Sequence, residues 1–185
     1  MGDVHHVYAS FRAYRSIPGL GGDFTTFASS GGGALIDWGV HYLDLIMYCL
    51  GEPTVKTVSG EAFSKLGVDM KNYLTTSMWA RESSNIESGT YDVDDSVVGL
   101  IRTDKATVSF NGAWAQNIGE DEMFIDFMGT KGGIRLQYGG DFTLYSTKNG
   151  MLSATTFKAT QENMFQAEID GFIDCIQSGE KLPSH

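Results

Sequence analysis

The chain reads as an α+β domain, a largely antiparallel (mixed) open β-sheet with helices packed on one face. Two segments carry apolar residues at helical spacing, one around residue 40 and one near the C-terminal end. The stretches between them are short, alternate apolar with polar residues and are separated by turn signals. One long helix, a run of strands and a closing helix is the order expected when helices gather on one face of a sheet.

Taken in order, Val4 to Arg15 alternates, with Val7, Ala9, Phe11 and Ala13 on one side and Tyr8, Ser10, Arg12 and Tyr14 on the other, which predicts a half-buried strand. Residues 16–30 hold Pro18, Gly19, Gly21 and Gly22 and read as a long irregular loop, a kind of segment that often carries function. Gly31, Gly32 and Gly33 then let backbone approach closely and leave the first helical amides unobstructed. The helix that follows has Ile36, Val40, Leu43, Met47 and Leu50 as its apolar stripe, and Gly51 with Pro53 stops it. Further strands are expected at 55–63, 72–79, 96–102, 106–115, 123–128, 134–138 and 142–146. Turns fall between most of them, as at Thr103-Asp104-Lys105, residues 129–133 and Gly139-Gly140-Asp141. A second amphipathic helix, 161–177, carries Phe165, Ile169, Phe172, Ile173 and Ile176 and ends at Gly179. On the strands, Val97, Leu100, Val108, Phe110, Ile125 and Phe127 are too apolar for a face left to water. A partner sheet is therefore expected to cover that face in a homo-oligomer.

Length and charge narrow the functional classes. At 185 residues the chain suits one domain, and 42% hydrophobic with 12% aromatic residues marks a folded protein. A net charge of -10, with 13 Lys and Arg in no cluster, argues against nucleic acid as a partner. No apolar run approaches the roughly 20 residues of a membrane span, and residues 1–15 lack the order of a signal peptide. A soluble, cytoplasmic protein is expected. Cys49 and Cys175 lie far apart within apolar helical patterns and read as two buried, reduced thiols. The acidic run Asp92, Asp94 and Asp95 lacks the glycine and distal glutamate of a calcium loop and reads as a solvated loop leading into a strand.

The chemistry concentrates behind the triple glycine. At about 100° per residue, Asp37, His41 and Asp44 fall within a sector of about 60°, a polar stripe expected to line a cleft. Histidine titrates in the range useful for moving a proton, and a carboxylate one turn away can orient the imidazole or bond the substrate itself. The same spacing also suits a solvated helix face, or a shared metal ion lacking convincing third and fourth ligands, so no metal is assigned. Arg12 and Arg15, at the end of the first strand, are candidates for clamping a substrate, or ordinary surface arginines. Asp23, with Phe24 and Phe27, is placed to edge the pocket, and Trp38 and Trp114 to pack on a ring or into the core.

The motif Asp37-Trp38-Gly39-Val40-His41 resembles the D-x-x-x-H helix of the second domain of the glucose-fructose oxidoreductase / inositol dehydrogenase (Gfo/Idh/MocA) family. The likeness extends through RAYRSIPG, LGEP, DDSVVGLIR, ATVSFNGAWAQN, GTKGG and AEIDGFIDCIQSGEKLP. It implies that residues 1–185 are a single C-terminal substrate-binding and oligomerisation domain of an NAD(P)-dependent oxidoreductase or dehydrogenase. The substrate class would be a sugar, inositol or related polyol. His41 would take the hydroxyl proton, and Asp37 would orient it or the substrate. In the family a lysine from an E-K-P tripeptide of the nucleotide domain completes the site. Here Glu180-Lys181-Leu182-Pro183 differs from that tripeptide and no G-x-G-x-x-G opens a helix. NAD or NADP is thus expected on an N-terminal Rossmann domain outside this chain, and the domain alone is expected to be inactive. The alternative within the same fold is a non-catalytic module that binds a carbohydrate or similar ligand or mediates assembly.

Overall fold

The computed structural model describes residues 1–20, 22–75, 89–159 and 163–180. Its strands are β1 (Val4–Arg12), β2 (Val55–Phe63), β3 (Ser96–Thr103), β4 (Thr107–Ala113), β5 (Glu122–Gly129), β6 (Gly132–Gln137), β7 (Phe142–Lys148) and β8 (Met151–Phe157). They form one eight-stranded sheet in the order β2-β3-β4-β1-β5-β6-β7-β8. β1 lies parallel to β4, and every other neighbouring pair is antiparallel. The expected mixed, open sheet is therefore present. Strand β8 has no counterpart in the sequence reading, because its exposed edge position leaves no apolar alternation to detect. Its signal is the turn before it. Asn149 and Gly150 both sit at positive φ, 52° and 76°, the backbone of a two-residue hairpin, and Asn-Gly is the pair that adopts it most readily. The strand expected at 72–79 is absent over residues 72–75, and its remainder lies outside the described residues.

The helices are α1 (Phe27–Ser30), α2 (Val40–Cys49) and α3 (Met164–Ser178), with a single wide π turn at Leu35–Gly39 leading into α2. Helix α2 covers the inner face of the sheet. Tyr42, Ile46 and Leu50 are buried against Val7, Ala9 and Phe11 of β1, Val108 and Phe110 of β4, and Ile125 and Phe127 of β5. The Tyr42 ring lies 4.9 Å from Phe11 and stacks at 4.2 Å on Tyr138. Burying each such side chain stabilises the fold by roughly 1.5–3 kcal/mol.

Several expectations change once side chains are placed. The most deeply buried stripe of the first helix is Tyr42, Ile46 and Leu50, with Leu43 and Met47 of the expected stripe packed beside it and partly buried. Ile36 and Val40, assigned to it from an ideal helix, are 49% and 44% exposed. With Tyr42 facing the sheet, Val40 two residues earlier is turned about 200° away on the regular helix, and Ile36 likewise faces outward, whereas Leu35 and Trp38 pack on the core. The sheet's outer face is also less apolar than expected, mixing Tyr8, Phe124, Val98 and Leu100 with polar residues. Register places Val97, Val108, Phe110, Ile125 and Phe127 on the inner face under α2, and only Leu100 of the six residues looks the other way. The outer face also holds polar contacts. His6 Nε2 lies 2.8 Å from Ser109 Oγ, Arg12 bonds Glu122, and Arg135 Nε donates to Asp126 at 2.7 Å. An oligomer across it cannot rest on the apolar residues first named. Helix α3 forms where expected, capped by Asn163 and closed by Gly179 at φ 74°, but Phe165, Ile169, Phe172, Ile173 and Ile176 are exposed instead of packed on the sheet. Cys49 is exposed and Cys175 partly so, which replaces the reading of two buried thiols.

The largest change concerns the acidic run. Asp92, Asp94 and Asp95 are anchors, not a solvated loop. Asp92 accepts the backbone N–H of Phe27 at 2.6 Å, at the start of α1. Asp94 accepts the N–H groups of Gly33 and Leu35 at 2.8 and 3.0 Å, while its carbonyl accepts Ala34 N–H. Asp95, fully buried, accepts three amides in a row, from Lys65, Leu66 and Gly67. The reason for the third glycine follows. A Cβ on Gly33 would stand 1.8 Å from the carbonyl oxygen of Asp94, and backbone on both sides cannot yield. We expect Gly33→Ala to lower stability by at least about 2 kcal/mol, read as a fall in the urea midpoint at unchanged slope.

Candidate functional site

The helix start and the loop before it enclose a cleft of about 390 Å³. The π turn and first turn of α2 supply Ile36, Asp37, Val40 and His41. The loop supplies Asp23, Phe24 and Ser30, and Gly32 and Trp114 complete the wall. Ile36, within the π turn, and Val40, directly after it, face away from the core and form an apolar lip beside the two polar groups. Such turns recur at functional sites.

Asp37 is held from two directions. Its backbone N–H donates to Gly33 O at 3.0 Å, and its Oδ2 accepts the indole N–H of Trp114 at 2.9 Å. Trp114, which follows β4, is fully buried, and its own backbone N–H donates to Asp95 O at 2.9 Å. Burial pushes the Asp37 carboxyl above the ordinary carboxylate range. The Trp114 hydrogen bond and the nearby His41 charge act in the opposite direction and are smaller. His41 is exposed on the cleft. Among the described residues no hydrogen bond joins it to Asp37, so the two interact through space.

The structure brings Asp37, His41, Asp23 and Trp114 together and leaves the other candidates elsewhere. Arg12 points to the outer face of the sheet, where it bonds Ser10, Gln116 and Glu122. Even-numbered positions of β1 face away from α2, so it cannot reach the cleft. Arg15 lies outside it too, its guanidinium on Asn117 and the Leu74 carbonyl and over the Tyr14 and Tyr73 rings. Trp38 packs against the core and borders a different hollow with Arg15 and Met123. Phe27 is exposed beyond the rim, and Asp44 faces Tyr138 instead of the cleft. Trp114 offers no ring face to a ligand because none of it is exposed. Sequence reasoning missed Ile36 and Val40 as lip residues, since it counted them into the buried stripe with Leu43 and Met47. It also missed Asp94 and Asp95, whose partners lie 59 to 61 and 28 to 30 residues away. Among the described residues no group of three or more His, Cys, Asp or Glu is arranged to hold a metal ion.

Comparison with known proteins agrees with this architecture. The family model described as GFO/IDH/MocA C-terminal domain matches residues 1–135. The chain is 29% identical over 180 residues to D-glucoside 3-dehydrogenase of Escherichia coli (strain K12), a match covering 96% of this chain and 48% of the relative. An oxidoreductase domain protein from Kribbella flavida shares the fold at TM-score 0.74 and 18% identity, over 100% of this chain and 53% of that one. Levoglucosan dehydrogenase in complex with NADH does so at TM-score 0.75 and 16% identity, over 99% of this chain and 52% of that one. The chain thus spans about half the length of the curated relatives it matches. With the family model spanning β1 through most of β6 and the whole cleft, the chain belongs to the GFO/IDH/MocA family and carries its C-terminal domain.

Proposed function

We propose that this chain is the substrate-binding half of an NAD(P)-dependent oxidoreductase acting on a sugar, inositol or related polyol. The observation that carries this reading is the meeting of Asp37 and His41 in one cleft beside an apolar lip. A polyol presents hydroxyl donors and C–H faces. Asp23 and Asp37 offer acceptors for the first, and Phe24, Ile36 and Val40 offer apolar surface for the second. His41, exposed on the same wall, takes the proton of the reacting hydroxyl. Asp37 binds a substrate hydroxyl directly, a role favoured over orienting the imidazole because one of its oxygens is bonded to Trp114 and neither to His41.

The residues described here do not fit the dinucleotide itself. A pyrophosphate seeks free amides at a helix start. The amides of Gly33 and Leu35 at the head of this helix are already bonded to the Asp94 carboxylate, whose charge would repel phosphate. The cofactor, and with it the hydride acceptor, belongs to a nucleotide domain outside this chain. Unpaired Cys49 and Cys175 suit a reducing cytoplasm, and among the described residues no helix is long and apolar enough to cross a membrane. Self-association across the open sheet would use the mixed outer face described above. A stable monomer in light scattering at micromolar concentration would count against it.

Joined to its native nucleotide domain and assayed for nicotinamide reduction over a panel of sugars and polyols, the protein should lose roughly 10²- to 10⁴-fold in rate on His41→Ala. Asp37→Asn should weaken both binding and rate. Unchanged rates in both variants would favour the non-catalytic binding module.

Asp37 also links pH to stability. Because burial raises its carboxyl above the ordinary value, the folded chain keeps a proton there over a pH window in which the unfolded chain has lost it. Stability contributed by the neutral form is therefore complete below the ordinary carboxylate range and lost as pH rises through the folded-state value. Asp37→Asn removes that loss. Urea unfolding from pH 3 to 7 should show the variant gaining on the parent as pH rises, and parallel curves would refute the linkage.

A further inference from the structure

We infer that Trp114 is a positioning residue for Asp37. Its buried indole N–H holds Oδ2 and so assigns Oδ1 to the ligand. The role toward a ligand rests on the function proposed above, whereas the contact can be tested without it.

The indole nitrogen is a donor only, and a buried donor needs an acceptor. Here that acceptor is one oxygen of a carboxylate that half-faces the cleft, at 2.9 Å. The terminal torsion of an aspartate is otherwise broad, so a single fixed donor sets the plane of the carboxyl group. The donor itself is fixed. Trp114 is fully buried among Ala34, Val93, Trp38 and Tyr91, and its backbone N–H is tied to the carbonyl of Asp95, whose side chain holds three amides. No protein donor among the described residues reaches Oδ1. The charged groups facing Asp37 are His41 from α2, Asp23 from the loop and Asp94 beneath the helix start. Of the carboxyl groups lining the cleft, Asp37 alone receives a buried neutral donor. That bond favours the ionised form against the effect of burial, so it holds Asp37 as an acceptor, with an orientation set before any substrate arrives.

The test uses this chain in solution, with 15N–1H spectra of the indole groups and 13C spectra of the aspartate carboxyls recorded across pH. In the parent, one indole resonance, absent from Trp114→Phe, should move with the same midpoint as the Asp37 carboxyl carbon. In Asp37→Asn that resonance should become indifferent to pH over this range. In Trp114→Phe, which keeps an aromatic ring but removes the donor, the Asp37 midpoint should shift upward. In the protein joined to its nucleotide domain, the acidic limb of the pH–rate profile should shift the same way with a raised KM. An unchanged Asp37 midpoint in a folded Trp114→Phe, or no indole resonance that follows Asp37 in the parent, overturns the proposal. If Trp114→Phe does not fold, the parent and Asp37→Asn titrations decide alone. If the titrations behave as expected but the joined protein oxidises no sugar, the proposed function fails while the contact stands.

Discussion

The carboxylate of Asp94, lying across the amides of Gly33 and Leu35, is the contact on which the cleft hangs. A helix start carries unsatisfied N–H groups and a partial positive charge, and the half-buried carboxylate of Asp94 answers both. Its neighbours extend the principle. Asp92 fixes α1, and Asp95 fixes the segment after β2. Three carboxylates within four residues thus pin three separate pieces of backbone to the strand that begins at Ser96. The acidity of this stretch is structural, and the loop it organises is the one that brings Asp23 and Phe24 opposite Asp37 and His41.

The sheet supplies what the clamp cannot, a rigid floor. β1 is paired on both sides, parallel to β4 and antiparallel to β5, so its inward residues Val7, Ala9 and Phe11 are covered completely by α2. Phe11 bears on the helix from below, close enough that Gly112 opposite it and Gly39 above it have little room for a side chain. The polar side of the same helix is thereby fixed in height above the sheet. Electrostatics then divides the labour. The cleft contains one carboxylate held partly out of water, that of Asp37, whereas the outer sheet face pairs its charges, Arg12 with Glu122 and Arg135 with Asp126.

Much of this was legible in the residues themselves. Apart from the one expected at 72–79, strands read from period-two alternation fall within a few residues of their places, because a half-buried strand records its faces directly in sequence. Asp37 and His41 were found through spacing and likeness, and they do share one cleft. What escaped was what spacing does not encode. Helical spacing does not say which of two adjacent apolar stripes bears hardest on the sheet, so Ile36 and Val40 were counted as buried while Tyr42 and Ile46 were not, although Leu43, Met47 and Leu50 do pack on the core. Which face of a sheet a valine occupies depends on register with neighbours, so Val97 and Val108 were assigned to the wrong side. The anchoring role of Asp94 depends on a partner 61 residues earlier, and β8 depends on a hairpin turn that only Asn149-Gly150 announces.

The wide turn at Leu35–Gly39 makes the first helix two independent devices spliced end to end. Such a turn is one residue longer than a regular one. Deleting a single residue there would restore ordinary winding and leave the residues upstream close to their present phase, because the wide turn takes up its extra residue, while Asp37, inside the turn, would be re-aimed and Tyr42, Ile46 and Leu50 stay seated. Length variation at this splice, more than any exchange of side chains, is a route by which related sequences can rebuild the ligand's surroundings without disturbing the interior.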